Sequence, residues 1–89
     1  MEIKKEMTKV SLFVDGKMAG IVTFPSLDEK TVIITHTMVP PQYQGKGYAS
    51  KLMEAVVEVL RETNRRCRTS CSYAASWFNK HPEHQDLLD

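Results

Sequence analysis

The apolar period switches from strand-like to helical across one short string, Gln42-Tyr43-Gln44-Gly45-Lys46-Gly47. Before it, Thr31 to Val39 is rich in β-branched residues (Thr31, Val32, Ile33, Ile34, Thr35, Thr37, Val39). That run predicts a strand buried near the centre of a sheet, ended at Pro40-Pro41 because proline cannot donate to the ladder. After it, Ala49, Leu52, Met53, Val56, Val57 and Leu60 recur at steps of three and four. The spacing predicts an amphipathic helix over 46–62, with Lys51, Glu54, Glu58, Arg61 and Glu62 mainly on its other side. A loop that opens such a helix leaves several N–H groups unpaired and aimed at one point. The helix dipole adds partial positive charge there, which suits a phosphate, and glycines let main chain approach a ligand closely. The plainer alternative is that Gly45 and Gly47 only shape a tight connection.

The remaining segments follow from local chemistry. Lys9 to Val14 alternates, Asp15-Gly16-Lys17 turns, and Met18 to Phe24 resumes an apolar run, which predicts a hairpin. Pro25 to Lys30 reads as a second turn. Asn64 suits a left-handed helix end, Arg66 to Ser70 a short strand, and Tyr73 to Lys80 a shorter helix limited by Pro82. Leu87 and Leu88 are positioned to tack down a polar tail. The expected order is β-β-β-α-β-α, an α/β fold of the α+β-like, mixed-sheet kind. An antiparallel meander precedes one β-α-β crossover, expected to be right-handed with parallel neighbouring strands, and a short C-terminal helix. Residues 1–89 are read as a single domain. The glycine loop then lies at the carboxyl end of the sheet, where ligands of open α/β sheets bind.

Bulk composition narrows the partners. With 12 basic and 11 acidic residues the net charge is +1, so no electrostatic argument supports nucleic acid or a membrane surface as partner. No apolar stretch approaches the roughly 20 residues that span a bilayer, and Met1 to Lys5 lacks a signal-peptide core. A cytoplasmic location is expected. Cys67 and Cys71 are the only cysteines. Their C-x3-C spacing with His81 and His84 does not match zinc sites, and a disulfide is not expected in a reducing compartment. They read as free thiols, with no metal site.

Two phosphate motifs fail. The string G-x-x-x-x-G-K-[ST] is absent, and G-x-G-x-x-G breaks at Ser50. Gln42 to Gly47, following a strand and opening an amphipathic helix, instead resembles the Q/R-x-x-G-x-G/A signature of the GNAT acetyltransferase superfamily. His36-Thr37, Ser50-Lys51-Leu52, Cys71-Ser72-Tyr73 and His81-Pro82-Glu83 resemble a compact branch of it. The likeness runs from about residue 10 to 84. It implies a GNAT-like fold and acetyl-CoA as cofactor. By that resemblance, the amides of Gln44, Gly45, Lys46, Gly47, Tyr48 and Ala49 hold the pyrophosphate. The strand edge at Met38 and Val39 pairs with the pantetheine amides. Lys46 adds a point charge or stands solvated, and Asn79 and Lys80 reach the adenine or 3′-phosphate end.

Acetyl transfer to an amine has a fixed difficulty. A lysine-type amine of pKa about 10.4 costs about 4.6 kcal/mol to deprotonate at pH 7, so a base, a water chain or desolvation is required. The leaving thiolate also takes a proton. Larger GNAT enzymes often supply it from a tyrosine in the second helix; laid on Cys71 to Lys80, their pattern puts Phe78 there, without a hydroxyl. Cys71 is therefore the first candidate, as acid or acyl-accepting nucleophile, with a packing role as its alternative. Tyr73 is the second candidate acid, or a core or rim aromatic. His36 is expected as a hydrogen-bonded residue of a buried strand, with a base as its alternative, His81 as a helix cap or a lining of the CoA channel, and Trp77, Phe78 and Cys67 as core. Met38 stands where relatives often carry an acid. The resemblance implies an N-acetyltransferase acting on an amine of a protein, peptide or small molecule, as a monomer or weak dimer. The alternative is a CoA-binding module without turnover, which senses acyl-CoA or acts with a partner.

Overall fold

A computed structural model describes residues 1–89. Its strands are β1 (Glu2–Lys5), β2 (Lys9–Val14), β3 (Lys17–Thr23), β4 (Thr31–Ile34), β5 (His36–Met38) and β6 (Arg66–Thr69), and its helices α1 (Tyr48–Glu62) and α2 (Ser72–Asn79). The β2–β3 hairpin turns where expected. Asp15 (φ 51°) and Gly16 (φ 78°) both take positive φ, the conformation that matches the twist of the flanking strands.

Two features depart from expectation. First, β1 pairs antiparallel with β2, Ile3 opposite Leu12, although Glu2–Lys5 carries a single apolar side chain and all four residues are exposed. Second, the Thr31–Val39 run is not one central strand. It breaks at Thr35 into β4, which pairs parallel with β6, and β5, which pairs antiparallel with β3. The result is a four-stranded sheet, β1-β2-β3-β5, and a two-stranded sheet, β4-β6. β5 is therefore an edge, Val39 lies just beyond it, and His36 is exposed rather than buried.

One core joins both sheets. Val10, Leu12 and Val22 from the larger sheet, with Phe24 just after β3, meet Val32 and Ile34 from the smaller, under Leu52, Met53, Val56 and Leu60 of α1. The buried face of α1 is wider than the predicted stripe, since Ala55 and Val59 are also buried while Ala49 is only half-buried. Asn64 (φ 54°) ends α1 in the left-handed region. The amides of Arg65 and Asn64 then cap the carbonyls of Leu60 and Arg61, at 2.9 and 3.3 Å, the paired bonds of a Schellman motif. Leu87 is buried, and Leu88 bridges to Cys67.

Candidate functional site

The site begins where the strands part. Thr35 N–H donates to Thr23 O and Ser70 N–H to Ile34 O, each at 3.0 Å. Beyond those bonds β5 stays on β3, while the chain after Ser70 turns into α2. One edge of β5 is thus left without a strand partner. Gly20 brings β3 close to β5 and α1: a Cβ there would sit 2.7 Å from Leu52 Cδ1 and 3.3 Å from Met38 O.

From Val39 the chain passes through a 3₁₀ turn at Pro41–Tyr43. Gln44 pins it back, donating from Nε2 to Val39 O at 3.0 Å. Gly45 (φ 80°) and Gly47 (φ 77°) both adopt the left-handed region, and a Cβ on either would meet nothing within 4 Å. They are needed for conformation, since L side chains are strained there. The first helical bond is Lys51 N–H to Gly47 O at 3.2 Å. Consequently the six amides from Gly45 to Ser50 donate to no carbonyl of the protein. No side chain caps Gly47, and the first turn of α1 holds no acidic residue. The positive end of the dipole is uncompensated at that point. Tyr48 and Ala49 are half-buried, and the rings of Tyr43 and Tyr48 lie 6.1 Å apart. Lys46 is exposed and unpaired.

Cys71 occupies the N-cap of α2 with extended backbone (φ −95°, ψ 124°). Its Sγ–H donates to Thr37 Oγ1 on β5 at 3.8 Å, so the thiol lies beside the parting strands. No side-chain cap bond closes at this residue, yet nearby amides still favour its thiolate. Partial burial, the largest influence, pushes the pKa up. The Ala74 amide, the Thr37 hydroxyl and the amides of Tyr73 and Thr37 together outweigh it, and the net pKa is lowered from 9.0. Tyr73 is partly exposed, its pKa raised by burial and then by the charge of Cys71. Cys67 is a different case: fully buried, with burial pushing its pKa up to about 12, it is an inert core thiol.

The other candidates divide clearly. Phe78 is core, 1% exposed. His81 stays at the end of α2, its Nδ1 2.7 Å from Trp77 O and its ring stacked on Trp77 with centroids 3.9 Å apart. His36 makes no side-chain hydrogen bond, contrary to expectation. Asn79 and Lys80 are exposed at the end of α2, without side-chain partners, and are not brought onto the glycine loop by any bond. Sequence reasoning missed Ser50. Its Oγ accepts from Trp77 Nε1 at 3.1 Å, tying α2 to the first turn of α1. It also missed Thr37 as partner of Cys71. The local signal for both was only a hydroxyl facing a conspicuous residue across a distance no window spans.

Residues 9–87 match the sequence model of a family described as GCN5-related N-acetyl-transferase. Protein NATD1 of Xenopus tropicalis is 27% identical over 68 residues, which are 76% of this chain and 62% of the frog protein. The chain thus spans less than two thirds of that relative. The solution structure of a GCN5-like protein from Staphylococcus aureus superposes with a TM-score of 0.78 at 31% identity, covering 99% of this chain and 87% of that one. N-acetylglutamate synthase of Neisseria gonorrhoeae, solved with coenzyme A and N-acetyl-glutamate, gives 0.68 at 17% identity over 89% of this chain and 22% of its own. At that identity it shows a shared fold.

Proposed function

The chain belongs to the GCN5-related N-acetyltransferase family, and from that premise we propose that it moves an acetyl group from acetyl-CoA to an amine, with residues 1–89 acting as one unit. Six consecutive amides, Gly45 to Ser50, that donate to nothing in the protein are the observation that carries this reading. In the proposal the amides of Gln44 to Ala49 hold the diphosphate, although that of Gln44 also donates to Pro41 O at 3.2 Å. Each charge–dipole contact contributes about 0.3–1 kcal/mol when exposed and up to ~2 when partly buried. Lys46 adds charge from solvent. The unpartnered edge of β5 at Met38, with Val39 after it, offers main-chain groups to the pantetheine amides as a neighbouring strand would.

When bound, acetyl-CoA supplies the activated acetyl group. Cys71 Sγ, placed by Thr37 where the strands part, stands at the reacting end in this proposal. Its lowered pKa aids either role open to it, proton donation to a departing thiolate or nucleophilic attack. Tyr73 is the neighbouring second donor. Asn79 and Lys80 serve the nucleotide end. The acceptor is an amine of a protein, peptide or small molecule, and the protein acts as a monomer or weak dimer. No helix is long and apolar enough to cross a membrane; two free thiols accord with a cytoplasmic, reducing setting.

One observation favours a second reading, a CoA-binding module without turnover. Phe78, at the position of the usual tyrosine acid, is buried core. Calorimetry with acetyl-CoA tests the first claim, using wild type, Gly47→Ala and Gly47→Glu. Both variants carry the same backbone strain, so abolition by Glu beyond the loss in Ala reports repulsion of the diphosphate. Equal binding in all three removes the loop from the site. Heat of binding with zero transfer across an amine panel selects the second reading.

A further inference from the structure

All eleven carboxylate side chains fall within 2–29, 54–62 and 83–89. The two stretches that build the site, 30–53 and 63–82, hold none, yet carry seven of the twelve lysines and arginines. Folding preserves that separation. Val22, opposite Thr37, is buried in the core beneath α1, so Thr37 faces the helices. His36 and Met38, its neighbours in β5, therefore point from the other face of the sheet, and both are exposed. Around Met38 that face is neutral, with Ile21 opposite it and Ser11 opposite Ile21. The carboxylates nearest in the fold are distant or engaged. Glu2 is on β1, three strands from β5, or about 14 Å. Asp15 lies in the turn beyond Lys17, more than about 13 Å along β3 from Ile21. Glu54 and Glu58 line a cleft toward β1, beside Ile3 and Lys5. Glu6 is 3.9 Å from Lys9 Nζ, and Asp89 Oδ2 accepts from Arg68 Nε at 3.0 Å.

Only Cys71 and Tyr73 could supply a negative charge at the reacting end. Burial keeps Tyr73 protonated. Cys71 in either role is no anion when the amine attacks: as acid it holds its proton, and as nucleophile it already carries the acetyl group. His36 offers a lone pair or a positive charge, never a negative one. We infer, resting on the acetyl-transfer reading above, that the acceptor is a weakly basic amine without a second positive charge, such as the α-amine that ends a chain. Lysine side chains and polyamines are then poor acceptors. A protonated amine finds no counter-ion here, so it sheds its proton to solvent before it attacks. Its lone pair forms the C–N bond, the C–S bond breaks, and one proton of the amine ends on the departing sulfur. At pH 7 about one α-amine in ten is already neutral, against about one lysine-type amine in 2,500. A second ammonium on the acceptor would likewise meet no carboxylate to offset its desolvation.

The test compares kcat/KM at pH 7 for three acceptors: alanyl-alanine amide, whose one amine is an α-amine, Nα-acetyl-lysine amide, whose one amine is a side-chain amine, and spermidine. The α-amine is expected to lead by about 100-fold, the ratio of free-base fractions less what the stronger base regains as a nucleophile. Raising the pH to 9 should shrink that lead about tenfold. Ionisations of the enzyme act on all three acceptors and cancel in the ratio. Met38→Glu sets a carboxylate on the exposed face beside Thr37, and should raise the two stronger bases about tenfold relative to the α-amine. A lead for the lysine amide at pH 7, a ratio flat with pH, or one unmoved by Met38→Glu overturns the inference and leaves acetyl transfer standing. Zero transfer to all three, with acetyl-CoA still bound, removes the transferase reading and this inference with it.

Discussion

Thr37 on β5 and Cys71 at the start of α2 face each other across the parting strands, Oγ1 to Sγ at 3.8 Å. The pair links the split to the thiol's chemistry. The hydroxyl of Thr37 is among the groups that hold the thiolate below its ordinary 9.0. Because the folded pKa is depressed, the thiolate's stabilising contribution is complete above pH 9.0 and is lost as pH falls through the lowered value. Thr37→Val removes one favourable group. The midpoint of Cys71 alkylation against pH should therefore move upward, with Cys67 unreactive throughout. An unmoved midpoint would separate Thr37 from the thiol.

Cys71→Ala follows from the same geometry. A group acting as acid or nucleophile at the reacting end contributes roughly 100-fold or more in rate. The expected result is a fall of that order in kcat, with acetyl-CoA affinity by calorimetry little changed. A normal kcat would make Cys71 a packing residue.

Gly20→Ala tests how the site is held. The added Cβ meets Leu52 Cδ1 at 2.7 Å and Met38 O and Val39 Cγ2 at 3.3 Å. Leu52 is fully buried and cannot swing away, so β5 or α1 must shift. Overpacking of this kind costs about 1–3 kcal/mol, and each 1 kcal/mol lowers Tm by about 4–8 °C in a domain this size. Acetyl-CoA should also bind more weakly, since Met38 and Val39 move. A neutral Tm would show that the close approach tolerates a methyl group.

These three positions differ in how visible they were beforehand. The glycine loop and α1 are local features, and turn chemistry and apolar period reveal them together. The left-handed Asn64 was legible for the same reason. The break at Thr35 was not, because Thr31 to Val39 is β-branched at seven of its nine positions, on both sides of Thr35, and the break is imposed by two partners, β6 and β3. β1 escaped notice because one isoleucine among charges gives no alternation, and pairing with β2 makes it a strand. Thr37 and Cys71 are 34 residues apart, as Trp77 and Ser50 are 27. Such contacts depend on how α2 docks, which no single segment encodes.

Trp77→Phe probes that docking. The substitution keeps an aromatic ring but deletes the Nε1–H bond to Ser50 Oγ, whose length is 3.1 Å. Loss of one part-buried bond costs about 0.5–1.5 kcal/mol. Hydrogen exchange should rise at the amides of the first turn of α1 that wild type protects, Lys51 foremost. Protection unchanged there would mean the indole bond does not steady the loop.

The C-terminal turn offers a test in acid. Hydrogen bonding from Arg61, more than its Coulombic attraction, lowers the pKa of Asp86 from 3.8, and partial burial works the other way. With the folded value depressed, the stabilisation is present above pH 3.8 and disappears as pH falls through the lowered value. The same Arg61 contacts His84 Nδ1 at 3.1 Å, and the His84 ring lies parallel to Trp77 with centroids 5.7 Å apart. Protonating Asp86 should thus be read out in Trp77 fluorescence as well as in Tm. Asp86→Asn should destabilise the protein modestly at neutral pH, since the pair is exposed and screened by salt. The gap between variant and wild type should close below the folded pKa. A gap constant through acid pH would assign the effect to packing of the turn instead of charge.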